Sequence, residues 1–371
     1  MDSCEVLIAG GGPAGSACAW KLRQAGLDVI VMDKAAFPRD KVCAGWITPQ
    51  VVEDLALDID DYRAGRTFQP ITGFRIGLIG RDRALETQYE RPVSYGIRRC
   101  EFDDYLLKRS NARTLLGTAV AKIRRDGEQW IVNESVRAAM LVGAGGHFCT
   151  VARTLAGEND RAPIIAAQEV EFAMDASAPA FAVAETVPEL YFCQDLKGYG
   201  WCFRKNGYLN IGFGRLDSKA VPKQTVEFVD SLKRSGRIPP NGSWRWKGHA
   251  YLLAGDTGRP PIADGVVLIG DAAGLAYPQS GEGIRPAIES GLMAASTIIA
   301  ADGRYGRERL EGYQHSLTTR FAASNSAGPI ARLIPGGVSA AAARWLLRRP
   351  AFVRHMVLNR WFLHAHQPAL G

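Results

Sequence analysis

Apolar runs alternate with glycine-rich turns and helical patterns along this chain, which predicts a mixed α/β protein. The run from Val6 to Ala9 is typical of a buried strand, and Gly10-x-Gly12-x-x-Gly15 follows it directly. A helical stretch covers Ser16 to Ala25, and a second strand covers Asp28 to Asp33. The order of strand, glycine turn, helix, strand and terminal acid is the pattern of a Rossmann-like unit that binds a dinucleotide.

Each glycine of the first turn has its own physical role. Gly10 permits the tight turn, Gly12 lets a pyrophosphate approach the backbone, and Gly15 lets the helix pack closely on the strand. The helix N-terminus offers N–H groups and a positive dipole to phosphates. Asp33 is expected to accept the ribose hydroxyls, and the same predicted site includes Pro13, Ala14 and Lys34. A glycine turn without a ligand is the alternative, and this motif does not distinguish FAD from NAD.

Further strand patterns follow the first unit. Ile71 to Ile79 and Leu85 to Tyr89 predict antiparallel strands, and a second strand-rich stretch spans Ile164 to Phe213. Thr114 to Trp130 predicts two strands that are joined at Arg125-Asp126-Gly127. Two more apolar strands end in glycine turns, and we expect these turns beside the first one: Gly143-Ala144-Gly145-Gly146 and Gly270-Asp271.

Composition and charge narrow the possible classes of protein. The chain has 371 residues, of which 47% are hydrophobic, which is enough for a large core. It has no apolar run of membrane-spanning length and no signal peptide pattern, so we expect a cytoplasmic protein. The seven cysteines form no C-x-x-C pair, and no metal site is predicted. From Asp302 onward there are ten Arg and three acids, a difference of +7 that equals the net charge of the chain. No nucleic-acid-binding motif accompanies this charge.

Four motifs occur in an order that resembles one enzyme superfamily. After the first glycine turn come Arg99-x-x-Phe102-Asp103, Gly143-Ala144-x-Gly146, Gly270-Asp271-Ala272-Ala273-Gly274 and Gly281-Glu282-Gly283-Ile284. The chain therefore resembles the FAD-dependent oxidoreductases that include p-hydroxybenzoate hydroxylase, the flavin halogenases and the geranylgeranyl reductases. It is most similar to the geranylgeranyl reductase branch, through Lys41-x-Cys43-x-Gly45 and Tyr199-x-Trp201-x-Phe203.

The resemblance implies FAD as the cofactor and assigns roles around it. Arg99 would lie on the flavin side of the FAD, with a salt bridge to Asp103 as the alternative role. Asp271 would bind the ribityl chain or a phosphate-bound water, with a helix cap as the alternative. The remaining implied cofactor residues lie beside the flavin ring or along the cofactor: Gly281, Gly283 and Ile284, then Gly270, Lys41, Cys43, Ala44 and Gly45.

The resemblance also implies a domain division. A discontinuous FAD-binding domain of Rossmann type comprises residues 1–66, 96–162 and 256–327, and an antiparallel-sheet substrate domain comprises residues 67–95 and 163–255. A helical C-terminal region covers residues 328–371. Within it, Ala340 to Leu347 and Phe352 to Leu363 predict two helices that are broken at Pro350.

Departures from the family pattern shape the expected reaction. Gly145 replaces the acid of the G-A-D-G motif, so we expect poor reduction by NAD(P)H and consider a separate reductase as electron source. Leu196 and Arg204 replace both prolines of the reductase element, which favours a monooxygenase acting on an aromatic or lipophilic substrate. The alternatives are a geranylgeranyl reductase-like C=C reductase and an FAD-binding accessory protein that modifies or docks on a protein partner.

Aromatic residues are the candidates for the substrate site. Tyr191, Tyr199, Trp201 and Phe203 would form its walls, with core packing as the alternative, and Cys43 and Trp46 would lie near the flavin edge. We expect the region from Gly328 onward to cover the substrate entrance. Its arginines and aromatic residues suit an anionic membrane surface or an acidic partner, whereas an ordinary amphipathic pair closing the core is the alternative.

Overall fold

A computed structural model describes residues 1–157, 164–174, 183–252, 258–321 and 336–371. The strands, in chain order, are β1 (Asp2–Ala9), β2 (Val29–Asp33), β3 (Trp46–Ile47), β4 (Gln69–Ile71), β5 (Gly73–Leu78), β6 (Ala84–Gln88), β7 (Ser94–Gly96), β8 (Arg113–Leu116), β9 (Ile123–Asp126), β10 (Gln129–Val132), β11 (Val136–Gly143), β12 (Ile164–Ala173), β13 (Glu189–Phe192), β14 (Gly198–Lys205), β15 (Tyr208–Arg215), β16 (Lys247–Leu252), β17 (Ile262–Ala263) and β18 (Val266–Leu268).

The helices are α1 (Pro13–Gln24), α2 (Pro49–Asp54), α3 (Ile59–Arg63), α4 (Arg99–Arg109), α5 (Thr150–Ala156), α6 (Val221–Arg234), α7 (Ile284–Ala301), α8 (Arg307–Phe321), α9 (Gly336–Leu346) and α10 (Pro350–Phe352). Short 3-10 helices cover Ser218–Ala220 and Gly270–Ala272, and a π-helix covers Val353–Phe362. No helix among the described residues is both long and apolar enough to cross a bilayer.

The first sheet has the Rossmann-like order β17-β18-β11-β1-β2-β8, and β9 and β10 extend it from β11. β1 pairs in parallel with both β11 and β2, so the ends of these strands lie at one edge. Helices α1 and α7 pack against each other so closely that a Cβ on Gly291 would lie 2.4 Å from the Ala14 carbonyl oxygen. This arrangement confirms the predicted mixed α/β class with a Rossmann-like sheet.

The prediction for Thr114 to Trp130 was wrong in detail. The hairpin joins β9 to β10, as expected from Asp126 and Gly127. Thr114 instead belongs to β8, which pairs in parallel with β2 at the edge of the first sheet. This segment forms a separate strand because it pairs with β2, which is distant in sequence. The local pattern of residues does not show such a pairing.

The second sheet has the order β16-β12-β15-β14-β13-β5-β6 and is largely antiparallel. Helix α6 covers one face through Phe228, Val229 and Leu232. The other face packs against the π-helix, which contributes Val357 and Phe362. A small separate sheet has the order β3-β7-β4. The predicted domain boundaries at 162–163, 255–256 and 327–328, and residues 328–335 of the predicted C-terminal region, lie outside the described residues.

The C-terminal segment connects the two halves of the molecule. Pro350 occupies the first turn of α10, where its missing N–H has no intrahelical partner to lose. Beyond the π-helix the chain returns to α7. There the Arg285 side chain, which is 1% exposed, donates to the carbonyl oxygens of His364, Gln367 and Pro368 at 3.2, 2.8 and 3.0 Å.

Candidate functional site

A cleft of about 710 Å³ lies between the two large sheets. It begins at the first glycine turn and ends at a group of aromatic side chains. Most of the sequence-predicted site residues line it: Gly10, Gly12, Pro13, Ala14, Asp33, Lys34, Lys41, Cys43, Ala44, Gly45, Trp46, Arg99, Tyr199, Trp201, Asp271, Gly281, Gly283 and Ile284.

The first glycine turn has the shape of a phosphate cradle. Gly10 has φ +125°, and a Cβ there would lie 2.3 Å from the Ala144 carbonyl oxygen. A Cβ on Gly15 would lie 1.9 Å from the Gly10 carbonyl oxygen, so Gly15 packs below the turn and does not line the cleft. Gly12 borders the cleft, and the nearest atom to a Cβ placed on it would be Arg39 Nη2 at 3.4 Å. The turn therefore leaves room for a pyrophosphate beside Gly12, as a bound dinucleotide requires.

Asp33 supports this turn from the end of β2. Its carboxylate accepts hydrogen bonds from the backbone N–H groups of Gly11, at 2.8 Å, and Ala35, at 2.9 Å. Each carboxylate oxygen has more than one acceptor site, so a ribose hydroxyl can share the same group. Asp33 thus shapes the loop and also borders the position expected for the ribose.

Arg99 makes the salt bridge that was its alternative role, and it also lines the cleft. Its Nε and Nη2 each donate to Asp103 at 2.7 Å, and Asp103 is fully buried. Burial opposes the charge of Arg99, but the Asp103 carboxylate outweighs burial and raises the pKa of Arg99. Arg39 Nη2 lies 3.1 Å from the same carboxylate. One anion therefore holds two guanidinium groups beside the glycine turn.

Lys41 forms a polar pair with His249 across the cleft. The Lys41 Nζ contacts His249 Nε2 and lies 3.2 Å from Nδ1. Burial lowers the pKa of Lys41 to about 8, and burial together with Lys41 lowers the pKa of His249 to about 3. The imidazole is therefore neutral and accepts from Lys41. No local signal marked His249, which is 208 positions away in sequence.

The loop from Cys43 to Gly45 rests on buried carboxyl groups. The Cys43 N–H donates to Glu169 Oε2 at 2.5 Å, and burial raises the pKa of Glu169 to about 8. The adjacent Glu171 accepts from the fully buried Lys205 at 2.7 Å. Gly45 has φ +70°, and a Cβ there would lie 2.4 Å from the Ile97 carbonyl oxygen. Both the charges and the backbone therefore fix the loop at the cleft.

The far end of the cleft is an aromatic wall, formed by Trp46, Tyr199, Trp201 and Tyr251. The Trp201 Nε1 donates to Asn210 at 2.7 Å, and the Tyr199 hydroxyl donates to the Ser280 carbonyl oxygen. Phe362 of the π-helix packs 5.4 Å from the Tyr199 ring and 6.1 Å from the Trp46 ring. The C-terminal segment thereby closes this end from behind.

Two of the four predicted substrate-wall residues do not line the cleft. Tyr191 pairs with Gly200 in the sheet, so it lies on the face opposite Tyr199 and packs 5.9 Å from Phe228 of α6. Phe203 is on the correct face but is fully buried behind Trp46, at 6.0 Å. For both residues, the core-packing alternative is the one that the structure supports.

A third glycine-rich segment lies between the two ends of the cleft. Gly281 has φ +68°, and a Cβ there would lie 2.3 Å from the Tyr251 hydroxyl oxygen. A Cβ on Gly283 would lie 3.3 Å from Asp271 Oδ1. Burial raises the pKa of Glu282 to about 7. Gly270, with φ +59°, packs against Ala14 and Ala287 and does not line the cleft.

Comparisons with known proteins found similar sequences and a shared fold. Residues 8–58 match the family described as an NAD(P)-binding Rossmann-like domain. The chain is 30% identical over 337 residues to a menaquinone reductase of Mycobacterium tuberculosis, which covers 82% of this chain and 81% of that protein. It is 28% identical over 318 residues to a geranylgeranyl diphosphate reductase of Rhodobacter capsulatus, covering 80% and 75%. A geranylgeranyl bacteriochlorophyll reductase-like protein of Thermoplasma acidophilum shares the fold, with a TM-score of 0.75, 20% identity, and coverage of 99% and 98%.

Proposed function

Because the chain belongs to the FAD-dependent oxidoreductase superfamily, in the branch of the geranylgeranyl and menaquinone reductases, we propose that it binds FAD in the cleft and reduces a carbon–carbon double bond of a lipophilic substrate. The observation that carries this proposal is the aromatic wall. Its residues Trp46, Tyr199, Trp201 and Tyr251 are uncharged, and they suit an apolar chain or ring better than a small ionised molecule.

The nucleotide end of the cleft would hold the FAD. The turn around Gly12 accepts the pyrophosphate, and Arg39 and Arg99 supply positive charge next to it. Asp33 accepts the ribose hydroxyls, and Asp271 faces the centre of the cleft. Bound FAD supplies the hydride chemistry, while the protein provides position, polarity and exclusion of water.

Reduction of a double bond also requires a proton, and Tyr251 is our candidate donor. Its hydroxyl lies against Gly281 in the centre of the cleft, and burial raises the pKa of Tyr251, so the phenol keeps its proton at neutral pH. The Tyr199 proton is already engaged by the Ser280 carbonyl oxygen. Tyr251 Oη would therefore transfer the proton to one carbon of the double bond while the other carbon receives the hydride.

Reduction is a better fit than the oxygen insertion expected from the two replaced prolines. Neither replacement lines the main cleft, and only Leu196 borders the smaller groove beside it. Arg204 is paired with Glu185 at 2.8 Å, and Leu196 lies in the turn between β13 and β14. The two replaced positions of the reductase element therefore lie away from the aromatic wall. The sequence relatives reported above are named as reductases, which also supports reduction.

The electron source is proposed to be a partner reductase rather than free NAD(P)H. Gly145 stands where the family has an acid, and a Cβ there would already lie 3.2 Å from the Cys149 Cα. A side chain at this position would therefore press against Cys149. We expect reduction of the flavin by NADH or NADPH in stopped-flow experiments to be far slower than an ordinary turnover of about ten per second. Reduction at that ordinary rate would contradict this proposal.

An anaerobic single-turnover experiment tests the reaction. The FAD-loaded protein is reduced with dithionite and mixed with a short-chain menaquinone or geranylgeranyl diphosphate. We expect flavin reoxidation and, once air has returned any quinol to the quinone, a product whose isoprenoid chain has gained two hydrogen atoms by mass spectrometry. Tyr251→Phe should slow this step about 100-fold, whereas Tyr191→Phe on the other face of the sheet should not. Reoxidation only in the presence of oxygen with product hydroxylation would indicate a monooxygenase, and no turnover under either condition would indicate an accessory protein.

A further inference from the structure

We propose that the C-terminal segment docks the protein on an anionic lipid bilayer and presents a side opening of the cleft to that bilayer. The docking surface is defined by the exposed residues Trp345, Arg348, Arg349, Arg354 and Arg360. The second part of the proposal, delivery of the substrate, rests on the lipophilic substrate proposed above. The first part, binding to the membrane, does not.

The charged side chains of the segment are all positive. After Glu311 the sequence contains seven arginines and no Asp or Glu up to Gly371. Arg320 forms a salt bridge with Glu289, and Arg344 donates to the Gln194 carbonyl oxygen at 2.8 Å. The four arginines of the docking surface are exposed, so their charge is presented to solvent. Such a surface is complementary to anionic headgroups.

Apolar groups accompany the charge. Trp345 is 54% exposed, and Arg349 lies over its ring at 4.3 Å. Tryptophan beside arginine suits the boundary between headgroups and acyl chains. The opposite side of the same segment is buried against the second sheet through Val357 and Phe362. The segment is therefore an amphipathic element whose apolar side closes the core while its basic side remains available.

A side groove lies between this region and the main cleft. It has a volume of about 110 Å³, and its walls include Phe192, Leu196, Lys197 and Leu216. Leu216 is 48% exposed, and its N–H donates to the Lys197 carbonyl oxygen at 3.1 Å. The hydrogen bond from Arg344 to Gln194 places α9 beside the same turn. The mouth of the groove thus lies next to the docking surface.

The inner end of the groove shares its walls with the main cleft. Tyr199, Tyr251, Ser280 and Gly281 line both cavities. The hydrogen bond from the Tyr199 hydroxyl to the Ser280 carbonyl oxygen spans this common wall. A rotation of Tyr199 would therefore join the two cavities. An isoprenoid chain could then pass from the bilayer through the groove to the aromatic wall.

Sedimentation with vesicles tests the docking step. The FAD-loaded protein is mixed with phosphatidylcholine vesicles with or without phosphatidylglycerol, at low and high salt. We expect binding only to the anionic vesicles and only at low salt. The double variant Arg348→Glu/Arg349→Glu should lower the binding constant by at least about 25-fold, since each basic residue near the surface contributes about 5-fold. Trp345→Ala should weaken binding without changing the charge.

The matched control carries the same change of charge on the Rossmann-like half. Arg304→Glu/Arg309→Glu replaces two exposed arginines there and should leave vesicle binding intact. Equal loss in both double variants would show a general effect of net charge and would overturn the proposal. Absence of vesicle binding together with retention on polyglutamate would also overturn it, in favour of an acidic protein partner.

The delivery step has a separate readout. Arg348→Glu/Arg349→Glu should lose turnover of a quinone embedded in anionic vesicles but keep turnover of the same quinone dispersed in detergent. If the parent protein is inactive on the detergent-dispersed quinone, the proposed reaction fails while vesicle binding still decides the docking step. If the double variant matches the parent on vesicles, the delivery step is refuted.

Discussion

At the nucleotide end of the cleft the surface is mainly backbone, whereas at the substrate end it is made of large side chains from distant elements. Around Gly10 and Gly15, even a methyl group would overlap main-chain atoms. At the aromatic wall, Trp46, Tyr199 and Phe362 come from a short strand, a sheet and a π-helix that are far apart in sequence. The difference predicts that the first end has almost no tolerance for substitution, and that the second end tolerates changes which alter its substrate.

The largest expected effects are at the glycine turn. Gly15→Val should fail to accumulate as folded protein, because a Cβ there lies 1.9 Å from a carbonyl oxygen. Gly12→Val should fold but lose its FAD, since its side chain would point towards Arg39 and the pyrophosphate position. Flavin absorbance per chain and a circular dichroism melt distinguish the two outcomes. Full flavin occupancy in Gly12→Val would contradict this placement, and Gly207→Ala, in open space, is the control.

The next effect concerns the buried anion between the two arginines. Asp103→Asn removes a carboxylate that holds Arg99 and Arg39, and leaving the buried Arg99 guanidinium without its counter-ion should cost about 3–5 kcal/mol of unfolding free energy. The neighbouring pair of Asp104 and Lys108 has the same spacing but an exposed lysine. Asp104→Asn should therefore cost less than about 1 kcal/mol in urea denaturation. Equal losses in the two variants would show that burial does not control this cluster.

The pH dependence of stability tests the buried charges below the Cys43 loop. The pKa of Glu169 is raised from 4.5 to about 8 in the folded protein. Between these values the folded state keeps a proton that the unfolded state releases, so this group makes the protein less stable as pH rises. Glu169→Gln keeps an acceptor for the Cys43 N–H and removes the titration.

We expect the stability of Glu169→Gln relative to the parent to increase by on the order of 4 kcal/mol between pH 4.5 and pH 8. Urea denaturation at a series of pH values provides the measurement. Glu227→Gln, on the surface of α6, is the control and should parallel the parent. A constant difference between Glu169→Gln and the parent across the series would contradict the assigned pKa.

The smallest expected effect distinguishes the two faces of the second sheet. Tyr199→Phe loses one hydrogen bond to the Ser280 carbonyl oxygen, and Tyr191→Phe loses one to Glu189, so each should cost about 1 kcal/mol. Only Tyr199→Phe should change the apparent KM for a lipophilic substrate. An altered KM in Tyr191→Phe, with an unchanged one in Tyr199→Phe, would place the substrate on the other face.

The same contrast explains what the sequence could predict. The glycine turn and Asp33 lie within one short stretch, so spacing was sufficient to locate them. Tyr191 differs from Tyr199 only in the face that it occupies, and its pairing with Gly200 decided that face. His249 and Glu169 contact residues 208 and 126 positions away, and no local pattern encodes such contacts. Spacing therefore predicted most of the residues that line the glycine-turn end of the cleft, whereas for the other end it gave only a list of aromatic candidates.

The C-terminal segment has a mechanical consequence. Phe362 packs against the second sheet. Only a few residues later, the carbonyl groups of Gln367 and Pro368 accept hydrogen bonds from Arg285 of the Rossmann-like half. A hinge motion that separated the two halves would place this short link under tension. The link therefore resists wide opening of the cleft, so a bulky substrate would enter more easily by a side route. Hydrogen exchange of the amides around Gln367 would report directly on how often that tension is released.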